Sequence, residues 1–187
     1  MQTLPLSSAV LTAAVALSTA TAAGFMREKP PEAHTGAFGE PTCQECHFGE
    51  ALNQEPGNVR IIGLPQYYTP GRAYQFAVVL TAPELKVGGF QLTARFENGR
   101  QAGRLEAANA GIVVSVSKGV EYVSHTLEGI SAKNNTLRWE LVWQAPAEAG
   151  GTVVFNVAAN ASNDDASPLG DHIHTAKIPV MLGGSDH

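Results

Sequence analysis

The two cysteines of this 187-residue sequence stand three positions apart, in Cys43-Gln44-Glu45-Cys46-His47. C-x-x-C-H is the spacing at which a polypeptide takes up c-type haem. Two thiols on one turn of backbone reach the two vinyl groups of one porphyrin, and the adjoining imidazole falls beneath the iron as proximal ligand. Cys43 and Cys46 are therefore expected to carry one covalent haem c, with His47 on its iron. Three other chemistries fit the residue types less well. A redox pair or disulfide usually sits in a βαβ context, which this chain lacks. Zinc would need a fourth ligand, and no second C-x-x-C or H-x-x-x-H follows. Free thiols are a poor match to an oxidising compartment.

The sixth position of the iron has several candidate ligands: His34, His125, His172, His174, His187, Met26 and Met181. His187 is terminal, and Met26 adjoins a cleavable leader. His34 reads as a solvated loop histidine. His125 falls late in a strand pattern, either as a distal ligand or as a ring satisfied by a sheet-edge hydrogen bond. His172 and His174 are i, i+2 on one strand, so both imidazoles project to one side, as a solvated face or as two ligands of copper or zinc. Asp164, Asp165 and Asp171 lie in a Gly- and Asn-containing loop, where calcium is conceivable without EF-hand spacing. No G-x-S-x-G, Walker A or G-x-G-x-x-G motif supports a hydrolase or nucleotide enzyme.

The elements that must position these residues follow from hydrophobic periodicity. Tyr74, Phe76, Val78 and Leu80 alternate with Gln75, Ala77, Val79 and Thr81. Phe90, Leu92, Ala94 and Phe96 alternate with Gln91, Thr93, Arg95 and Glu97, and Leu137, Trp139, Leu141 and Trp143 with Arg138, Glu140, Val142 and Gln144. A period of two is the mark of half-buried strands. Turn chemistry separates them, at Thr69-Pro70-Gly71, Asn98-Gly99, Lys133-Asn134-Asn135 and Gly150-Gly151. About eight strands are predicted, near 58–63, 73–81, 88–97, 111–117, 120–126, 136–144, 152–159 and 172–182. With no sustained helical period, the fold class is all-β: an Ig-like antiparallel sandwich, with a closed barrel as the alternative.

Three segments result: a signal peptide over 1–22, a haem-attachment segment over 23–57 and the sandwich over 58–187. Residues 1–23 hold no Asp, Glu, Lys or Arg and end in Ala20-Thr21-Ala22-Ala23, an A-x-A-like cleavage site. The segment up to Gly57 is rich in Pro and Gly and has no apolar period with which to build a core. No later segment could cross a bilayer, so no membrane span is expected after signal cleavage. Lys and Arg number 12 against 17 Asp and Glu, a net charge of −5 without basic blocks, which makes nucleic acid a poor partner.

Further residues carry a resemblance. Tyr68-Thr69-Pro70-Gly71-Arg72-Ala73-Tyr74, Gly88-Gly89-Phe90-Gln91-Leu92, His125-Thr126, Trp143-Gln144-Ala145-Pro146 and Gly151-Thr152-Val153-Val154-Phe155 stand in this order. Together they resemble the Reeler domain and its bacterial relatives, often termed choice-of-anchor V proteins. In those relatives a Gly-rich segment with C-x-x-C-H precedes the sandwich, much as Thr35-Gly36-Ala37-Phe38-Gly39-Glu40-Pro41-Thr42 precedes Cys43 here. The resemblance implies an extracytoplasmic Ig-like sandwich, of a type found in eukaryotic matrix proteins and beside cytochrome b-type domains in ferric-chelate reductases. It also implies His125 as the distal haem ligand. The sorting tail of some relatives is not found after Met181-Leu182-Gly183-Gly184.

The expectation is an exported monohaem c-type cytochrome carrying electrons in the periplasm or cell envelope between redox partner proteins, an electron carrier more than an enzyme. The alternative is an extracytoplasmic binding or assembly module whose haem is structural or sensory. A haem peroxidase or gas sensor would require an open distal position.

Overall fold

The computed structural model describes residues 29–48, 50–165 and 167–184. The expected signal peptide, Met26 and His187 lie outside the described residues. Among the described residues ten strands form two sheets: β1 (Asn58–Ile62), β2 (Tyr67–Tyr68), β3 (Ala73–Thr81), β4 (Val87–Phe96), β5 (Arg104–Ala107), β6 (Ile112–Ser117), β7 (Val120–His125), β8 (Thr136–Gln144), β9 (Val153–Ser162) and β10 (His172–Leu182). One sheet has the order β1-β3-β8-β5, the other β2-β10-β9-β4-β7-β6. The all-β sandwich stands, with two corrections. Strands β2 and β5 are too short for a period of two to reveal them. And one pair is parallel, Met181 and Leu182 of β10 running alongside Tyr67 and Tyr68.

The alternating residues do the packing that their spacing predicts. On β8, Leu137, Trp139, Leu141 and Trp143 are all buried between the sheets. Trp139 lies against Phe90 of the opposite sheet with ring centroids 4.4 Å apart, and Trp143 meets Phe155 edge-on at 5.0 Å. Each such side chain contributes roughly 1.5–3 kcal/mol through the apolar surface it removes from water. Asn134 and Asn135 take positive φ, 51° and 57°, and Lys133 and Thr136 exchange two backbone hydrogen bonds of 3.0 Å around them. This is a two-residue hairpin loop that fixes the start of β8. Among the described residues no helix is long and apolar enough to cross a membrane.

Strands β4 and β9 are buried on both faces, which a simple sandwich does not explain. The cause is the Pro- and Gly-rich segment ahead of β1. It does not stand apart but lies across the outer face of the six-stranded sheet. The Gln91 side chain accepts from the His34 backbone N–H at 2.7 Å and donates to the Pro31 carbonyl at 2.9 Å. Arg95 of β4 pairs with Glu40. Further on, the Asn53 N–H donates to the Ile173 carbonyl at 2.9 Å and its Oδ1 accepts from the Thr175 N–H at 2.7 Å, covering the free edge of β10.

Candidate functional site

Thr42 starts the motif. Its Oγ1 accepts from the Gln44 N–H at 3.2 Å and caps a 3₁₀ turn over Cys43–Glu45. The Cys43 carbonyl then accepts from the N–H of Cys46 at 3.2 Å and of His47 at 2.9 Å. Side chains three apart eclipse on such a turn, so both sulfurs share one side, with His47 next in line. Both cysteines are free thiols. Burial pushes the Cys43 thiol up to about 12, with Cys46 adding a smaller push and the Cys43 backbone a small opposing pull. After the motif, the Phe48 N–H donates to the Pro168 carbonyl at 3.1 Å, tying the turn to the loop between β9 and β10.

That loop delivers the key partner. Asp171, 4% exposed at the threshold of β10, places Oδ2 2.6 Å from His47 Nδ1. Asn160 of β9 donates through Nδ2 to the same oxygen at 3.0 Å. Burial would raise the Asp171 carboxyl, but hydrogen bonds from His47, Asn160 and Ser162 and the charge of His47 outweigh it and hold it below the usual carboxylate range. The group is therefore an ionised carboxylate, which only accepts, so Nδ1 of His47 carries the proton. An Nδ1 that donates cannot also accept, and the 3.1 Å approach of Asn160 Nδ2 to it is the third side of this triangle. In the neutral ring Nε2 is then the nitrogen with the lone pair, and it makes no hydrogen bond among the described residues. That is the ring state a metal-ligating histidine needs.

The second imidazole is close by. Gly89 of β4 is the register partner of Asn160, so the two lie on adjacent strands, about 4.8 Å apart. The His125 ring rests on Gly89: a Cβ added there would come within 2.2 Å of Cε1. Burial lowers the His125 pKa, the Phe90 carbonyl opposes this, and the charge of His47 lowers it further. His47 and His125 thus share one patch on the outer side of β4 and β9. Alternation alone puts His125 on the face of Val123, which is in the core. The β4–β7 ladder stops at Gln91 and Ser124; β6 still pairs Ile112 with His125, yet the ring is found against Gly89. His125 Nδ1 lies 3.0 Å from the Phe90 N–H and 3.3 Å from the Phe90 carbonyl, so the sheet-edge hydrogen bond weighed from sequence is present. Nε2 leads to a metal only in the tautomer in which Nδ1 donates to the carbonyl.

The other candidates fall away. His34 is not a solvated loop residue: Nε2 pairs with Glu45 at 2.6 Å and Nδ1 bonds the Glu32 carbonyl at 3.0 Å, so both nitrogens are engaged. His172 and His174 do project to one side of β10, but not into solvent. His174 is 1% exposed, inside the sandwich beside Gly57, and its Nε2 and the Nδ1 of His172 are buried without a partner. Met181 lies ten residues beyond Asp171 along β10, about 30 Å away. Asp164 and Asp165 sit on an exposed turn, while Asp171 turns to His47. Among the described residues, no group of three or more His, Cys, Asp or Glu converges to hold a bare metal ion. A porphyrin asks less of the chain, because it brings four nitrogens of its own.

Sequence reasoning missed Asn160 altogether and saw in Asp171 only a conceivable calcium ligand. His47 is 124 residues from Asp171 and 113 from Asn160, and no local pattern joins them.

No protein-family model matches the chain, and no curated protein does. Solved structures do. The Reelin-N domain of F-spondin superposes with a TM-score of 0.52 at 19% identity, over 76% of this chain and 96% of that one. The fold of the sandwich is Reeler-like. A reeler domain fragment of human F-spondin is also similar, with a TM-score of 0.45 at 20% identity over 66% of this chain and 87% of its own. At such identities the likeness concerns the Reeler-like fold alone; the haem motif and its histidines are argued from this chain.

Proposed function

We propose that the protein is an exported monohaem c-type cytochrome, an electron carrier of the cell envelope. Cys43 and Cys46 form the thioether links, His47 is the proximal ligand and His125 the distal one. The observation that supports this reading is the His47–Asp171 hydrogen bond, which engages Nδ1 and leaves Nε2 without a partner among the described residues, next in line to two free thiols on one turn. Bound haem would supply a reversible one-electron change at iron. The chain's own contribution is to orient. The 3₁₀ turn aligns the thiols, Asp171 sets the His47 tautomer, and Gly89 makes room for the His125 ring. Two imidazole ligands leave no open coordination position, which suits electron transfer rather than oxygen chemistry.

Expression with c-type maturation machinery, followed by intact mass and a haem stain on denatured protein, tests the attachment. One covalent haem and a low-spin ferric spectrum are the expected results. A colourless mature protein from such a host would overturn the reading. A high-spin ferric iron that binds CO readily would remove His125 from it.

A further inference from the structure

The buried carboxylate behind His47 does more than a structural hydrogen bond requires. Asp171 is nearly fully buried, and its Oδ2 lies 2.6 Å from His47 Nδ1 and 3.0 Å from the donor Asn160 Nδ2, the two-donor geometry of a carboxylate oxygen in low-dielectric surroundings. Asn160 braces it through Nδ2 at 3.0 Å, and the orientation of that amide is fixed, since turning it would set Oδ1 against the carboxylate. The arrangement leaves Asn160 Oδ1 buried and unpartnered. The fold accepts that cost to hold Asp171 in place. Asp171 comes from the entry to β10, Asn160 from β9 and His47 from the leading segment, so the triad exists only when all three are packed together.

We propose that Asp171, braced by Asn160, is a positioning residue that fixes His47 in the Nδ1–H tautomer and lowers the reduction potential of iron held on Nε2. The inference rests on the function proposed above. A carboxylate drawing on the Nδ1 proton gives the imidazole partial imidazolate character and makes Nε2 a stronger donor. A stronger donor favours the ferric state, which carries one more positive charge than the ferrous state. The negative charge of Asp171 acts in the same direction. The potential therefore falls relative to a ring whose Nδ1 faces a neutral acceptor.

The test is a redox titration of haem-loaded wild type and Asp171→Asn. The amide keeps the shape and can still accept from Nδ1, but it removes the charge. We expect full haem content and at least a tenfold shift of the reduction equilibrium toward the ferrous state, about 59 mV upward for one electron. Asp171→Glu should recover part of the shift. A merely structural role would lower stability and leave the potential in place. If Asp171→Asn does not mature, ¹⁵N NMR of His47 in haem-free wild type decides, with Nδ1 protonated as the expected result. A wild type without covalent haem overturns the proposed function. Haem-loaded Asp171→Asn with less than a twofold change, about 18 mV, or a His47 protonated at Nε2, overturns only this inference.

Discussion

Replacing Glu40 by Ala should release the leading segment while leaving the sandwich folded. Glu40 accepts from Arg95, from the Tyr122 hydroxyl at 2.6 Å and from Thr35 Oγ1 at 2.6 Å. Arg95 is only 5% exposed and also donates to the Tyr122 oxygen at 2.5 Å. Removing the carboxylate leaves a buried guanidinium without a counter-charge, a change that costs about 3–5 kcal/mol. The other contacts over β4, from His34 and Pro31 to Gln91, contribute about 1 kcal/mol each. They offset only part of that penalty, whereas lifting the segment lets water reach Arg95. The loss is thus local, and 3 kcal/mol corresponds to about a hundredfold larger open population. Limited proteolysis reads that population when opening and closing are fast. Cleavage ahead of Asn58 should accelerate about a hundredfold, with the urea midpoint of the remaining sandwich unchanged. Acid should act alike. Burial raises the Glu40 carboxyl, yet bonds from Thr35, Tyr122 and Arg95 and the Arg95 charge hold it below its ordinary value. Its stabilisation is complete above the unfolded value of about 4.3 and is lost as pH falls through the lower folded one. A variant with the segment as protected as in wild type, or one in which the sandwich melts first, would refute the reasoning.

Three other outcomes follow from the same geometry. Trp139→Ala, at a ring 2% exposed that donates to the Gly129 carbonyl at 2.8 Å, should lower stability by about 3–5 kcal/mol, seen as a lower urea midpoint at unchanged slope. Gly89→Ala places a Cβ 2.2 Å from His125 Cε1 and should expel that ring from the patch; under the proposed function, haem-loaded protein then turns from low-spin to high-spin, and an unaltered spectrum would exclude His125 as ligand. His174 has a pKa lowered by burial first and by His172 next, with Glu55 opposing, so the fold loses stability as pH drops below about 6.5 toward the lower folded value. His174→Leu removes the titrating group and should flatten that part of the stability profile, and an equal slope in both proteins would contradict this.

The strands were legible because burial on one face imposes a period of two, and Phe76, Leu92, Trp139 and Phe155 all point where that period places them. β2 and β5 escaped for want of length. The thiols and His47 were legible because their geometry is local to one turn. The rest of the site depends on pairing between distant strands, which sets Asn160 beside Gly89 and brings Asp171 under His47. His174 misled for a related reason: i, i+2 spacing shows that two side chains share a face, not whether that face is wet.

The surface beneath the leading segment is made chiefly of Gln91, Thr93, Arg95, Ser124 and Asn156. Such a bed tolerates water, so a strap lying on it can lift and resettle without exposing the greasy interior or inviting clumping. The two sulfurs ride on that strap. If the protein is the cytochrome proposed above, maturation enzymes would reach them after the sandwich has set, and closing the strap would come last.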